Sequence, residues 1–316
     1  MTMQRFHSAV GVVLTAAALA ACESADRPLE GQPASETAAE SPSDAFVVEV
    51  AAVDYAFQAP AEIPSGWTTF RMENLGEEHH FLLLNRLPEG KTFEDYGREV
   101  GALFDSVWDS LQTGAMDKAE AGAMLGRLLP DWYAAVEQMG GPGLVAPGRV
   151  ARTAVNLEPG TYVMECYVKT PEGEFHASLG MVRPITVTTE LSGAPAPAAG
   201  IEARLTNSQI AIEGEITPGE HTIAVQFTEH PELGLGNDLH LARLDEETAL
   251  EEVVNWMDWM NVDGLRAPAP AEFVGGAQEV PVGHTTYFTV DLEPGRYAWI
   301  SEASAERGMV KEVTVE

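Results

Sequence analysis

The chain has 316 residues and a formal charge of −31 at pH 7, from 49 acidic and 18 basic side chains, and it contains 2 cysteines. An acid excess of this size argues against nucleic acid and anionic lipid headgroups as partners and fits basic protein partners, a saline habitat that demands a solvated surface, or a generally acidic proteome with no specific partner. If Cys22 carries a modification, Cys166 is the only thiol left and no internal disulfide can form.

The first element in chain order is a targeting segment: Arg5, then an apolar run from Ala9 to Leu19, then small residues up to Cys22. That order reads as a secretory signal over 1–21, and the run is shorter than the roughly 18 to 20 apolar residues that a membrane-spanning helix needs. Leu19-Ala20-Ala21-Cys22 resembles the lipobox of bacterial lipoproteins. The resemblance implies cleavage before a lipidated Cys22, and Glu23 after it implies the outer membrane, on its periplasmic or cell-surface face. Over 22–45 the Ala, Ser, Pro and Glu content leaves little to bury and predicts a flexible tether.

From 46 onward, short runs rich in Val, Ile, Phe, Tyr and Thr lie between Gly and Pro, which is the texture of an antiparallel β-sandwich. Helical spacing interrupts it at about 91–140, where Val100, Leu103, Phe104, Val107, Trp108 and Leu111 recur. Met116, Met124 and Met139 in this stretch are expected to fill core gaps. Farther on, Leu157-Glu-Pro-Gly-Thr-Tyr162 returns as Leu292-Glu-Pro-Gly-Arg-Tyr297. Arg86-Leu87 answers to Arg243-Leu244, and Gly180-Met181 to Gly308-Met309. The chain is therefore expected to be all-β, with two tandem sandwiches. The first covers 46–190 and carries the helical insertion, a Pro/Ala linker covers 191–200, and the second covers 201–316.

The chemistry concentrates at the end of one predicted strand, where Cys166, His176 and Met181 share a single loop. A thiolate, an imidazole and a thioether, joined by a second imidazole, make the set that suits blue copper. The second imidazole is sought in Asn74-Leu-Gly-Glu-Glu-His-His-Phe81, where His79 and His80 are neighbours on a strand and only one can face a metal.

On these residues the chain resembles the cupredoxins. Asn74 to His79 looks like their first-ligand strand, Gly160-Thr-Tyr162 leading to Cys166 like their penultimate strand, and His176 to Met181 like their ligand loop. The resemblance implies Greek-key sandwiches and one type 1 copper held by His79, Cys166, His176 and Met181, with His80 as the alternative to His79. It implies single-electron transfer with a redox protein; the acid excess adds the expectation that this partner's docking surface is basic, and the lipobox resemblance adds attachment to a membrane through the N-terminal lipid. The chain departs from the family in the long stretch between Cys166 and His176 and in the helical insertion.

The second copy has Ser301 in place of Cys166 and no histidine in its loop, so it is expected to bind no copper. Glu165 and Tyr167 flank Cys166 where multi-centre copper enzymes place a histidine, and the histidines are too few for a trinuclear cluster. An electron carrier is therefore expected rather than an enzyme. The alternatives are a copper carrier without redox role and a metal-free interaction module.

Overall fold

Alternating burial along the strands lays one face of each on a core and turns the other outward. The computed structural model describes residues 45–232 and 235–316, so the signal segment, Cys22 and residues 23–44 lie outside the described residues. The first sandwich is built from β1 (Val47–Val53), β2 (Ala56–Gln58), β3 (Glu62–Asn74), β4 (Leu83–Arg86), β5 (Glu137–Gln138), β6 (Val150–Leu157), β7 (Gly160–Glu165) and β8 (Val182–Leu191). One of its sheets runs β2-β1-β3-β6 and the other β8-β7-β4-β5, with the start of β3 pairing parallel to β8.

The second copy uses β9 (Ile201–Leu205), β10 (Ile210–Glu213), β11 (Gly219–Phe227), β12 (Leu239–Leu244), β13 (Glu272–Ala277), β14 (Thr285–Leu292), β15 (Gly295–Ile300) and β16 (Val310–Val315). Its sheets run β10-β9-β11-β14 and β13-β12-β15-β16. The pairing scheme repeats: β9 lies parallel to β11 as β1 does to β3, and β15 sits between β12 and β16 as β7 sits between β4 and β8.

The shared Leu-Glu-Pro-Gly-x-Tyr segment has a structural cause. The Tyr162 hydroxyl donates to the carbonyl of Glu158 at 2.7 Å, and the Tyr297 hydroxyl to that of Glu293 at 3.0 Å, so each tyrosine pins the turn that opens its own strand.

Helices occupy the 91–140 insertion: α1 (Phe93–Tyr96), a π-helical turn at Gly97–Gly101, α2 (Ala102–Gln112) and α3 (Lys118–Leu128). Capping boxes of Thr92 with Asp95 and of Asp117 with Glu120 start α1 and α3. In the second copy α4 (Leu250–Trp256) lies between β12 and β13. Met139 is in the main core, while Met116 and Met124 pack against the helices, as gap-fillers do.

The copies meet through equivalent pieces of chain. In β6 and β14, which run antiparallel, Thr153 faces Phe288, and both residues stand four positions before the leucine of the shared segment. Nearby, Gly143 N donates to Gly276 O at 3.1 Å and Gln278 N to Gly141 O at 2.9 Å. Here glycine is obligatory, because a Cβ on Gly141 or Gly276 would lie 2.1 Å from the carbonyl oxygen of Leu82 or Leu239. The main hydrophobic core draws on both copies, from Val48 and Cys166 to Phe273 and Ile300.

Candidate metal centre

Cys166 follows β7 directly and is fully buried. The long stretch after it closes on itself: Lys169 bridges Phe175, Thr170 N donates to Glu174 O at 2.9 Å, and His176 N donates to Val168 O at 2.8 Å. The extra residues are thus set aside in a hairpin with Pro171-Glu172-Gly173 at its tip, and His176 returns beside Cys166. Two backbone bonds close the loop, from Met181 N to His176 O at 2.9 Å and from Cys166 N to Met181 O at 3.1 Å. Met181 is fully buried in the same core as Cys166.

The imidazole that the structure brings to Cys166 and His176 is His80, the alternative to His79, and His79 itself stands apart from them. Reciprocal backbone bonds with Val145, 3.2 Å from His80 N and 2.8 Å from Val145 N, fix His80 so that its ring turns toward Cys166. The neighbouring side chain of an extended segment must then point the other way. His79 packs edge-on against Phe273 and Trp256, with ring centroids 5.7 and 6.3 Å away. Burial there pushes its pKa down to about 4, and its Nε2 has no hydrogen-bond partner among the described residues.

His80 Nδ1 lies 3.2 Å from His176 Nδ1, and Cys166 Sγ lies 3.9 and 3.7 Å from these two nitrogens. The circle through the three atoms has a radius of about 2.1 Å, in the range of ordinary metal–imidazole and metal–thiolate bonds, about 2.0 to 2.3 Å. One ion fits at its centre without moving a donor.

The tautomers agree. His80 Nε2–H donates to Asp54 Oδ1 and His176 Nε2–H to Glu78 Oε2, each at 2.7 Å, so both Nδ1 lone pairs face the common centre. Burial, followed by the neighbouring His176, pushes His80 down to about 4 and keeps it neutral. Burial also pushes the Cys166 thiol up to about 12, and a cation among these donors acts in the opposite sense by favouring the thiolate.

A small scaffold holds the two carboxylates. Asn74 Nδ2 donates to the carbonyls of Glu78 at 2.7 Å and Val145 at 2.9 Å, while its Oδ1 accepts from Gly76 N at 3.0 Å. Tyr55 donates to Glu78 Oε1 at 3.1 Å, and Asp54 Oδ2 accepts from Glu77 N at 2.7 Å. Gly76 leaves the room this requires, since a Cβ there would stand 2.2 Å from Asp54 Oδ1. Sequence reasoning missed Asp54 and Glu78, which lie among many acidic residues with nothing in the sequence to set them apart.

In the second copy the corresponding places are taken by Asn237 for His80, Ser301 for Cys166, Ser304 for His176 and Met309 for Met181. The loop closes as before, from Ser301 N to Met309 O at 3.0 Å and from Met309 N to Ser304 O at 3.1 Å. At its centre Ser304 Oγ donates to Asn237 Oδ1 at 2.7 Å. Counting from the shared Arg-Leu and Gly-Met marks would have found Asn237 and Ser304 in the sequence.

Asp238, His240 and Glu302 form a second buried cluster of potential ligands. His240 Nδ1 accepts from the amide of Leu144 at 3.0 Å, and its Nε2–H donates to Asp238 Oδ2 at 2.7 Å. Both ring nitrogens are committed, so no lone pair is left for a metal.

No protein-family model and no curated protein matches the chain. Among solved structures it is similar to the dithionite-reduced auracyanin of Roseiflexus castenholzii, with 18% identity over 46% of this chain and 98% of that one and a TM-score of 0.25. It is also similar to auracyanin A of Chloroflexus aurantiacus, described as a blue copper protein, with 17% identity, coverage of 45% and 98%, and a TM-score of 0.27. A multicopper oxidase matches 85% of this chain and 88% of its own, at 13% identity and a TM-score of 0.24. Likenesses this distant carry no argument about activity, and the functional reading rests on the arrangement of His80, Cys166 and His176.

Proposed function

We propose that the chain is a type 1 (blue) copper protein that carries single electrons between extracytoplasmic redox partners. It is tethered to a membrane through a lipid on Cys22 and meets a partner whose docking surface is basic. The observation that carries the copper reading is the triangle of His80 Nδ1, His176 Nδ1 and Cys166 Sγ, with Met181 beside it. This donor set is the one that suits blue copper. When bound, copper supplies a one-electron couple.

The protein's share is to hold the donors still. Asp54 and Glu78 orient the two imidazoles, the backbone bonds of the loop tie His176, Met181 and Cys166 together, and complete burial of His80, Cys166 and His176 excludes water. A frame fixed from so many sides resists the change of geometry that otherwise slows electron transfer. Glu165 and Tyr167, rather than a histidine, adjoin Cys166, which favours a carrier over an enzyme with a second centre. Among the described residues no helix is long and apolar enough to cross a membrane.

Titrating Cu(II) into the full chain should raise an intense visible thiolate band that saturates at one equivalent and bleaches on reduction. Cys166→Ser should remove the band altogether, because a hydroxyl is a hard and poorly ionised ligand. Tight copper binding without colour, equal in wild type and Cys166→Ser, would leave a non-redox copper carrier and end the electron-transfer reading.

A further inference from the structure

Beside the metal centre lies a cavity of about 220 Å³. One wall is the chain that carries the ligands, through Glu165, Tyr167 and Ala177, and the facing wall is the helical insertion, through Tyr96, Gly101 and Phe104. Hollows of about 150 Å³ already take up benzene, so this one has room for a single ring with a short polar arm.

The lining is unbalanced in charge: among the described residues it holds the carboxylates of Glu165 and Asp105 and no Lys, Arg or His. Among the described residues Glu165 is met only by neutral donors, Asn85 Nδ2 at 2.7 Å from Oε1 and the Tyr96 hydroxyl at 3.0 Å from Oε2. Asp105 accepts from the hydroxyl of Ser178. Asp105 stands at the exposed rim and Glu165 is half-buried, and no cation of the lining stands beside the Glu165 carboxylate, where the space is open. Much of the remaining lining is aromatic, including Phe93, Tyr133, Phe175 and Trp259, and aromatic rings attract cations.

The geometry points to a binding site for a small organic ammonium ion, its nitrogen at Glu165 and its apolar body among the rings of the insertion and Trp259. The assignment does not depend on copper. It gives the insertion a role that the metal centre leaves unexplained.

Two glycines allow the cavity to be filled. Gly97 and Gly101 both line it, and a Cβ added at either meets no atom within 4 Å. Benzylammonium chloride and its neutral counterpart of like shape, benzyl alcohol, are titrated calorimetrically into the full chain, both copper-free and copper-loaded. Benzylammonium should bind at one site at least tenfold more tightly than the alcohol in both forms. Glu165→Gln should bring the two affinities together, and Gly101→Leu, or Gly97→Leu if that variant folds poorly, should abolish binding of the ammonium ion. The proposal is overturned if the alcohol binds as tightly as the cation, if neither binds, or if the folded glycine variants bind like wild type. Because the copper-free protein is measured too, failure here is separate from failure of the copper reading.

Discussion

In the first copy the loop is closed by Cys166 N to Met181 O at 3.1 Å and Met181 N to His176 O at 2.9 Å; in the second, Ser301 N to Met309 O spans 3.0 Å and Met309 N to Ser304 O 3.1 Å. The backbone frame is the same and the contents differ, so the frame owes nothing to a metal. The contents of the second copy satisfy one another, with Asn237 Oδ1 accepting from Ser304 Oγ at 2.7 Å. Those of the first do not, since two imidazole lone pairs converge on one sulfur, whose thiol has a single proton to offer the pair. His240 sharpens the contrast. Like His80 and His176 it is fully buried with Nε2 on a carboxylate, yet a backbone amide occupies its Nδ1. A ligand histidine is distinguished here by what its other nitrogen meets, not by burial or by a carboxylate partner.

Exchanging the roles of neighbouring histidines is the severest test of that contrast. His80→Ala should weaken copper binding at least a hundredfold and erase the thiolate band, whereas His79→Ala should leave stoichiometry and colour intact. Equal losses in a competition titration would undo the distinction between them. Next in size, Glu78→Gln or Asp54→Asn should weaken copper about 10- to 100-fold by releasing the orientation of one imidazole, as such supporting partners do elsewhere. Unchanged affinity would reduce the carboxylates to bystanders.

Metal-free protein offers a pH test centred on the second copy. Burial first, then the charge of Asp238, pushes Glu279 up to about 8 from an ordinary 4.5. Folded protein therefore holds this proton more tightly than unfolded protein. The contribution to stability is fully present below about 4.5 and is lost as pH rises through 8. Thermal melts should fall over that window, and Glu279→Gln should flatten the fall; an unchanged slope would remove Glu279 as its cause. Smallest of all, Ser304→Ala deletes the hydrogen bond that Ser304 donates to Asn237 and the one it accepts from Arg307, and should cost about 1 to 2 kcal/mol in denaturant unfolding without touching copper in the first copy.

Much of this was legible in the sequence because it rests on local patterns. The Leu-Glu-Pro-Gly-x-Tyr segments announce two turns pinned by tyrosine hydroxyls, and Cys166, His176 and Met181 share a loop that has to bring them together. The phase of His79 and His80 was not legible. It is set by a pairing with Val145, 65 positions along the chain, and not by the distance from Asn74. Asp54 and Glu78 escaped for the same reason, since their roles arise only when the start of the sandwich folds against the ligand loop. The hairpin at Lys169–Phe175, by contrast, had a signal in Pro171-Glu172-Gly173, which marks a turn able to shorten the long ligand loop.

The pairing of β6 with β14 has a consequence of another kind. Thr153 and Phe288 are equivalent residues facing each other across antiparallel strands, and Gly143 to Gly276 is answered by Gln278 to Gly141. A contact in which each side repeats the other about a local dyad is what a two-fold symmetric dimer makes, here held within one polypeptide. Two separate identical subunits must change together, so a mutation that removes a ligand removes it twice. Covalent fusion lifts that constraint, and one half can keep the metal ligands while the other keeps only the surface that its twin requires.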